Sequence, residues 1–500
     1  MIDTTDTTMT HPIEIISAGA GSGKTYSLTK KLNELLSSGE VQPGGVIATT
    51  FTRLAAGELR ERVRQSLTQQ GHRQLAVQME QAAIGTVNGI CGELLERFAF
   101  AAGLSPEQQV LEESEAKRLF GEALDQIVGD DTAQLQALNA LARRLGKEDH
   151  QGTPQWRDDI VGIATLARAN DCDPNTLPAQ GEQSVTELLG HYRQPVTRDL
   201  NAELIAAIDE VLAKVDTDAD NTKKTQEYLK RLRQARGSLQ GGMLPWSQWI
   251  KLSKDAPAKK SETLAEPVRL LAEDVDRHPQ LQRDIADYIN AVYRLAGKSL
   301  AVYQERKRQQ GLMDFVDQEQ RLYHLLENPE VQQTLRDELQ LLMVDEFQDT
   351  SPIQLALFVR LAALANRVIW VGDIKQAIYG FRGSDPELMQ AVIQAVQAEG
   401  GHADRLPCSW RSRPALVHYC NQVFGTAFAN TLDPDAVALE PAREEATEDP
   451  AIITWTLPKK IADQLNGIAA GIQDLLTNGY RVVDKHSRKP RALVTVPGCV

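Results

Sequence analysis

Three motifs between Leu341 and Pro414 carry side chains whose types and spacing suit phosphate chemistry. They read LLMVDEFQDTS (Leu341–Ser351), IWVGDIKQAIYGFRGSD (Ile369–Asp385) and LPCSWRSRP (Leu406–Pro414), and a fourth, IEIISAGAGSGKTYSL (Ile13–Leu28), lies far upstream. In the upstream motif Ala18, Gly19, Ala20, Gly21, Ser22 and Gly23 form a turn of small residues. Its backbone N–H groups are able to wrap phosphate oxygens while the following helix presents its positive end. Lys24 is then expected to reach the β- and γ-phosphates, with the Thr25 hydroxyl on magnesium. The strict pattern opens on glycine; here Ala18 stands in that place with Gly19 beside it.

An isolated Asp-Glu pair is ordinarily solvated surface. Asp345 and Glu346, however, follow the apolar run LLMV, which puts them at the C-terminal edge of a strand, where open α/β sheets bind ligands. Asp345 is the expected magnesium partner, and Glu346 the expected base or orienting group for an attacking water. Gln376, an uncharged donor and acceptor after the strand VIWV, suits a γ-phosphate sensor. Tyr379, Phe381 and Arg382 follow at alternating spacing. Two aromatics and a cation in a loop make a platform on which bases stack at about 1–3 kcal/mol each; ordinary core aromatics are the competing interpretation. In CSWRS, Arg411 is able to offer a guanidinium to transition-state charge, and Trp410 an indole to a nucleotide base.

The elements that must position these groups are legible in outline. Ile13–Ile16 is a short apolar strand leading through the glycine turn into a helix. Val46–Phe51 and Ile84–Phe100 begin further strand-to-helix passages. Repeated β–α units predict a parallel sheet with crossover helices. From residue 105 to 311 the pattern becomes helical, with polar breaks at Asp216–Lys224 and Ser253–Glu262. Strand character returns at Leu341–Val344, so an all-helical insertion is expected to interrupt one α/β domain. The expected divisions are residues 1–104 and 312–385 for that domain, 105–311 for the insertion and 386–500 for a second, incomplete α/β domain. One stretch of the insertion is basic, with Lys223, Lys224, Lys230, Arg231, Arg233 and Arg236; a solvated helix face is the favoured explanation, with a nucleic-acid phosphate contact the alternative.

Composition sets the bounds. At 500 residues the chain is long enough for several domains. No apolar run approaches the ~18 residues that span a bilayer. The first residues lack the basic and apolar regions of a secretory signal. Five scattered cysteines suit reduced thiols in a cytoplasm. A net charge of −14 lowers the expectation of a nucleic-acid partner only modestly, because a local groove can be basic on an acidic protein.

Taken as a set, the four motifs with TTFTRLAAGELRERV (Thr49–Val63) and IGTVNGIC (Ile84–Cys91) resemble the superfamily 1 DNA helicases of the UvrD/Rep class. Within that class the similarity is to RecB- and AddA-type subunits, carried by SAGAGSGKT, KQAIYGFRG, SWRS and DFVD (Asp314–Asp317). The resemblance implies ATP- and Mg2+-dependent 3′→5′ movement on single-stranded DNA or from DNA ends, in repair, recombination or exonuclease-type processing. It implies ATP held between two RecA-like domains, the first interrupted by the insertion. Phe51, Tyr379 and Phe381 fall on DNA-stacking positions, with Arg382 beside them, and Thr86 and Asn88 on a DNA-backbone motif. A nuclease or helicase partner subunit fits the same resemblance, and a membrane partner does not. The chain departs from the family pattern at Asn88, where His is usual, at Ile90, where Phe is usual, and at Tyr26, where many relatives have Arg. Two helicase motifs expected further on lie beyond Val500, so the 500 residues alone are expected to hydrolyse ATP slowly. The alternative is a shortened relative that binds ATP and DNA without cycling; a P-loop ATPase acting on protein leaves the aromatic platform unexplained.

Overall fold

The computed structural model describes residues 13–105, 109–215, 219–242, 244–377, 386–430, 432, 434–444, 449–483 and 490–492. They divide into two compact units, one built from Leu104–Gln320 and the other from the segments on either side of it.

Strands β1 (Ile13–Ala18), β2 (Val46–Thr50) and β3 (Ala83–Thr86) precede the helical unit, whose described residues include the short pair β4 (Gln109–Val110) and β5 (Leu312–Met313). After it come β6 (Leu341–Asp345), β7 (Arg367–Gly372) and β8 (His402–Leu406). The six longer strands form one sheet in the order β3-β2-β6-β7-β1-β8, with every neighbouring pair parallel. Such a sheet is covered on both faces, which is why its central strands read as unbroken apolar runs. Leu341–Val344 and Val368–Val371 are buried throughout. Alternate residues of these strands, Met343, Ile369 and Val371, pack with Ile16 and with Leu28, Leu32, Val63 and Leu67 from the crossover helices.

The α/β expectation for the chain is met by this parallel sheet, but the boundary near residue 386 moves. The new unit expected at residue 386 does not begin there. The helix Pro386–Ala398 leads into β8, which pairs with β1 from Glu14↔His402 to Ala18↔Leu406. A five-residue strand with three exposed positions has little apolar signature of its own; its place was decided by an open edge of β1. Beyond it, β9 (Cys408–Ser409) and β10 (Glu440–Pro441) pair in parallel, and Arg481–Val483 pairs antiparallel with Pro490–Ala492.

The helical unit is organised along the helix Pro279–Gln310, which opens on proline and ends at Gly311 in the left-handed region. Two apolar clusters fill it, one around Phe120, Trp156 and Tyr303, the other around Ile208, Tyr228 and Trp249. The unit runs on to Gln320, past the expected end at 311, because of a buried ionic knot. Lys307 Nζ donates to Asp314 Oδ2 at 3.0 Å and Asp317 Oδ1 at 2.6 Å. Arg168 also pairs with both carboxylates, and Tyr303 donates its hydroxyl to Asp314. DFVD is therefore a structural clasp of this unit. The basic helix Lys223–Gln240 buries Tyr228, Leu229 and Leu232. Arg231 pairs with Asp255 and Arg236 with Asp209. Lys224, Lys230 and Arg233 remain exposed, without an ion pair among the described residues.

Candidate nucleotide site

Because the six strands are parallel, their C-terminal ends share one edge of the sheet. The glycine turn, Phe51, Thr86, Asp345 with Glu346, and the segment from Asp373 to Gln376 all follow directly from strand ends there. β6 and β1 are separated by β7 alone, which brings the acidic pair within reach of the glycine turn.

Ala18 is fully buried at the end of β1. Gly21 and Gly23 take φ of +77° and +93°, a conformation that costs glycine little and other residues much. The helix Lys24–Ser38 starts after Gly23 with no side-chain cap, so its first-turn amides keep their capacity for an anion. Ser22 N donates to Gly19 O at 3.1 Å, closing the turn. The Ser22 hydroxyl is buried and has no protein partner among the described residues. An orphaned buried donor between two left-handed glycines fits an anionic ligand such as a polyphosphate.

Lys24 Nζ donates to Glu346 Oε2 at 2.5 Å. Glu346 is one of two non-glycine residues with positive φ among those described, at +54°. Such strain persists where surrounding structure enforces it, and it concentrates at functional sites. Here the enforcing contacts are Glu346 N to Asp345 Oδ1 at 3.0 Å and Gln348 Nε2 to Glu346 Oε2 at 2.8 Å. Burial, and then the adjacent Glu346 charge, push Asp345 up to about 6, with Lys24 pulling the other way. Asp349 is pushed up to about 6 for the same first two reasons. A cation at this edge would relieve both. Among the described residues no group of three His, Cys, Asp or Glu side chains forms a metal cage; a magnesium ion held by one carboxylate, one hydroxyl and phosphate oxygens needs none.

Gln376 is at the same edge but turned onto its own loop: its Nε2 donates to Asp373 Oδ2 at 2.6 Å. Asp373 also holds Lys375 Nζ at 2.8 Å. Trp410 and Arg411 lie against the glycine turn. Trp410 N donates to Gly21 O at 2.8 Å, and a methyl group added at Gly21 would stand 2.5 Å from Arg411 Cβ. Trp410 Cδ1 is 3.9 Å from the corresponding position on Gly23, and the indole is 64% exposed.

The expected DNA contacts divide. Thr50 and Thr86 are register partners on adjacent strands, so Phe51 and Thr86 sit side by side at the sheet edge. The Thr86 hydroxyl accepts from Gly89 N at 3.2 Å and caps the helix Val87–Arg97. Asn88 Oδ1 is buried without a hydrogen-bond partner among the described residues, and Ile90 is in the core. Tyr379, Phe381 and Arg382 lie outside the described residues. Sequence reading missed Gln348, whose amide touches Glu346, Asp349 and Asp373. Its signal was a polar residue two positions past the acidic pair.

Fold and site together define a mixed α/β protein with a glycine-rich turn whose lysine meets a paired acidic strand end. The profile of the UvrD/REP helicase N-terminal domain family matches residues 6–397, and the chain belongs to that family. Among curated proteins it is similar to the A subunit of the ATP-dependent helicase/nuclease of Desulforudis audaxviator, 28% identical over 480 residues, covering 82% of this chain and 38% of that protein. The protein of the same name from Syntrophomonas wolfei is 24% identical over 459 residues, covering 82% and 36%. That from Alkaliphilus oremlandii is 23% identical over 489 residues, covering 88% and 40%. The chain thus spans well under half the length of these relatives.

Proposed function

We propose that the chain is the nucleotide-hydrolysing part of an ATP-dependent DNA helicase that moves 3′→5′ along single-stranded DNA in repair, recombination or end processing. The observation that carries this reading is the meeting of Lys24 with Glu346 across β7 in a chain of this family. Bound ATP and Mg2+ supply the scissile phosphoanhydride and the charge that activates it. Gly19, Ala20, Gly21, Ser22 and Gly23 cradle phosphate through the backbone after Ala18, and Lys24 exchanges Glu346 for a phosphate oxygen. Thr25 and Asp345 hold the metal, Glu346 takes the water proton, Gln376 reads the γ-phosphate, and Arg411 stabilises transition-state charge. Trp410 stacks on the base.

On the DNA side, Phe51, Tyr379 and Phe381 stack bases, with Arg382, Thr86 and Asn88 on the backbone. The helical unit is read as an insertion within the first RecA-like domain, and the segment after β8 as part of a second. The relatives are named as one subunit of a helicase/nuclease, which supports a nuclease-type partner. Among the described residues no helix is long and apolar enough to cross a membrane, and a cytoplasmic setting suits DNA work.

The test is directional translocation by the protein expressed from its complete reading frame, on single strands labelled at either end. ATP-dependent arrival at the 5′ end, abolished by Lys24→Ala, is expected. Nucleotide and DNA binding with no turnover would instead assign the chain to non-motor relatives.

A further inference from the structure

Gln348 is 2% exposed, and every polar end of its side chain is engaged. Nε2 donates to Glu346 Oε2 at 2.8 Å and to Asp349 Oδ2 at 3.1 Å. Oε1 accepts from Asp373 N at 2.8 Å. Asp373 in turn receives Gln376 Nε2 at 2.6 Å. One buried amide therefore joins the end of β6 to the end of its neighbour β7.

The chemistry of this position is restrictive. One end must donate to two carboxylates and the other must accept from a backbone N–H, which a carboxamide does and neither a carboxylate nor an apolar side chain does. Its room comes from Gly372, where an added methyl group would stand 2.5 Å from Gln348 Oε1. Beneath it Phe347 stacks on Trp370 with ring centroids 4.5 Å apart, locking the two strand ends together. Glu346 Oε2 accepts from both Lys24 and Gln348. When Lys24 turns to a phosphate, Gln348 is the donor left to hold that oxygen, in a residue whose backbone is already strained.

We propose that Gln348 is a positioning residue that fixes the Glu346 carboxylate and couples it to the Asp373–Gln376 loop, so that the water-activating and γ-phosphate-sensing groups move together. The inference rests on the nucleotide-hydrolysing reading above. It predicts that Gln348 affects turnover and not nucleotide affinity, since it lies behind the groups that would meet the ligand.

The experiment compares Gln348→Met, which keeps length and loses all three hydrogen bonds, with Gly372→Ala, which displaces the amide from the β7 side. Both are made in the protein expressed from its complete reading frame, with kcat and KM for Mg-ATP measured with and without single-stranded DNA. Each variant should lower kcat by about 10-fold or more while KM stays within roughly threefold. The double variant Gln348→Met/Gln376→Ala should lose less than the product of the single losses, as residues of one network do. A kcat within about twofold of the parent in either folded variant, a matching rise in KM, or multiplicative losses in the double variant would overturn the coupling. If Gln348→Met fails to fold, Gly372→Ala and the double-variant logic on Gly372→Ala/Gln376→Ala decide the same point. An unmodified protein that does not hydrolyse Mg-ATP would remove the nucleotide reading itself, and this inference with it.

Discussion

The Lys24 ammonium and the Glu346 carboxylate meet at 2.5 Å although 322 positions separate them in the chain. In this pairing each neutralises the other's charge in a partly buried edge of the sheet, so a triphosphate entering the glycine turn has to compete with Glu346 for the lysine. Under the proposed function this links binding to activation of the carboxylate: a phosphate that draws Lys24 away would also release Glu346 from it.

Lys24→Ala and Glu346→Gln should separate binding from hydrolysis. The first removes the cation that the proposed function places on the phosphates. The second keeps shape and a hydrogen-bond acceptor but loses the base. Titration with a fluorescent ATP analogue should show weakened binding only for Lys24→Ala, while single-turnover hydrolysis falls by at least about 100-fold in Glu346→Gln. Near-parental turnover in Glu346→Gln takes it out of the catalytic role.

Thr86 offers a different separation, since its hydroxyl is already engaged as a helix cap. Thr86→Ala should cost about 1 kcal/mol of stability in urea unfolding, and Thr86→Asn, which can still cap, much less. A DNA role predicts that both weaken single-strand affinity. Affinity that tracks stability alone would leave Thr86 a cap.

In the basic helix, Arg231 and Arg236 already have carboxylate partners. Exposed Lys224, Lys230 and Arg233 are then the cations available for phosphates. Changing the three to Gln should flatten the log–log salt dependence of single-strand affinity by roughly 0.7 for each phosphate no longer neutralised. An unchanged slope assigns the helix to solvated surface.

The ionic knot at Asp314 should make the helical unit acid-sensitive. Burial opposes ionisation of Asp314, but Arg168 and Lys307 outweigh it and hold the carboxyl well below the usual range. A depressed folded value means stability present above the unfolded value of ~3.9 and lost as pH falls below it. Asp314→Asn should cost about 3–5 kcal/mol at neutral pH by leaving buried cations underpaired. Its urea midpoint should also fall less steeply than the parent's below pH ~4. Equal slopes in parent and variant would contradict the assignment.

The chemistry-bearing parts were legible in sequence because their structure is local. A glycine turn between an apolar run and a helical pattern can fold only as strand, loop and helix, and LLMV and VIWV are apolar throughout because both faces of a central parallel strand are buried. Lys24, Glu346 and the edge position of Phe51 and Thr86 follow from that. What the tertiary structure decided was everything that depends on which strand lies beside which. β8, polar and short, is recognisable as a sheet strand only once β1 offers it an edge. DFVD reads as a motif in sequence and becomes a clasp when Lys307 and Arg168 are folded against it. Gln348 is one polar residue among many until β6 and β7 pair, and then their two loops leave a single buried space that an amide alone satisfies. Strand pairing and burial join residues far apart in the chain, and no local periodicity records them.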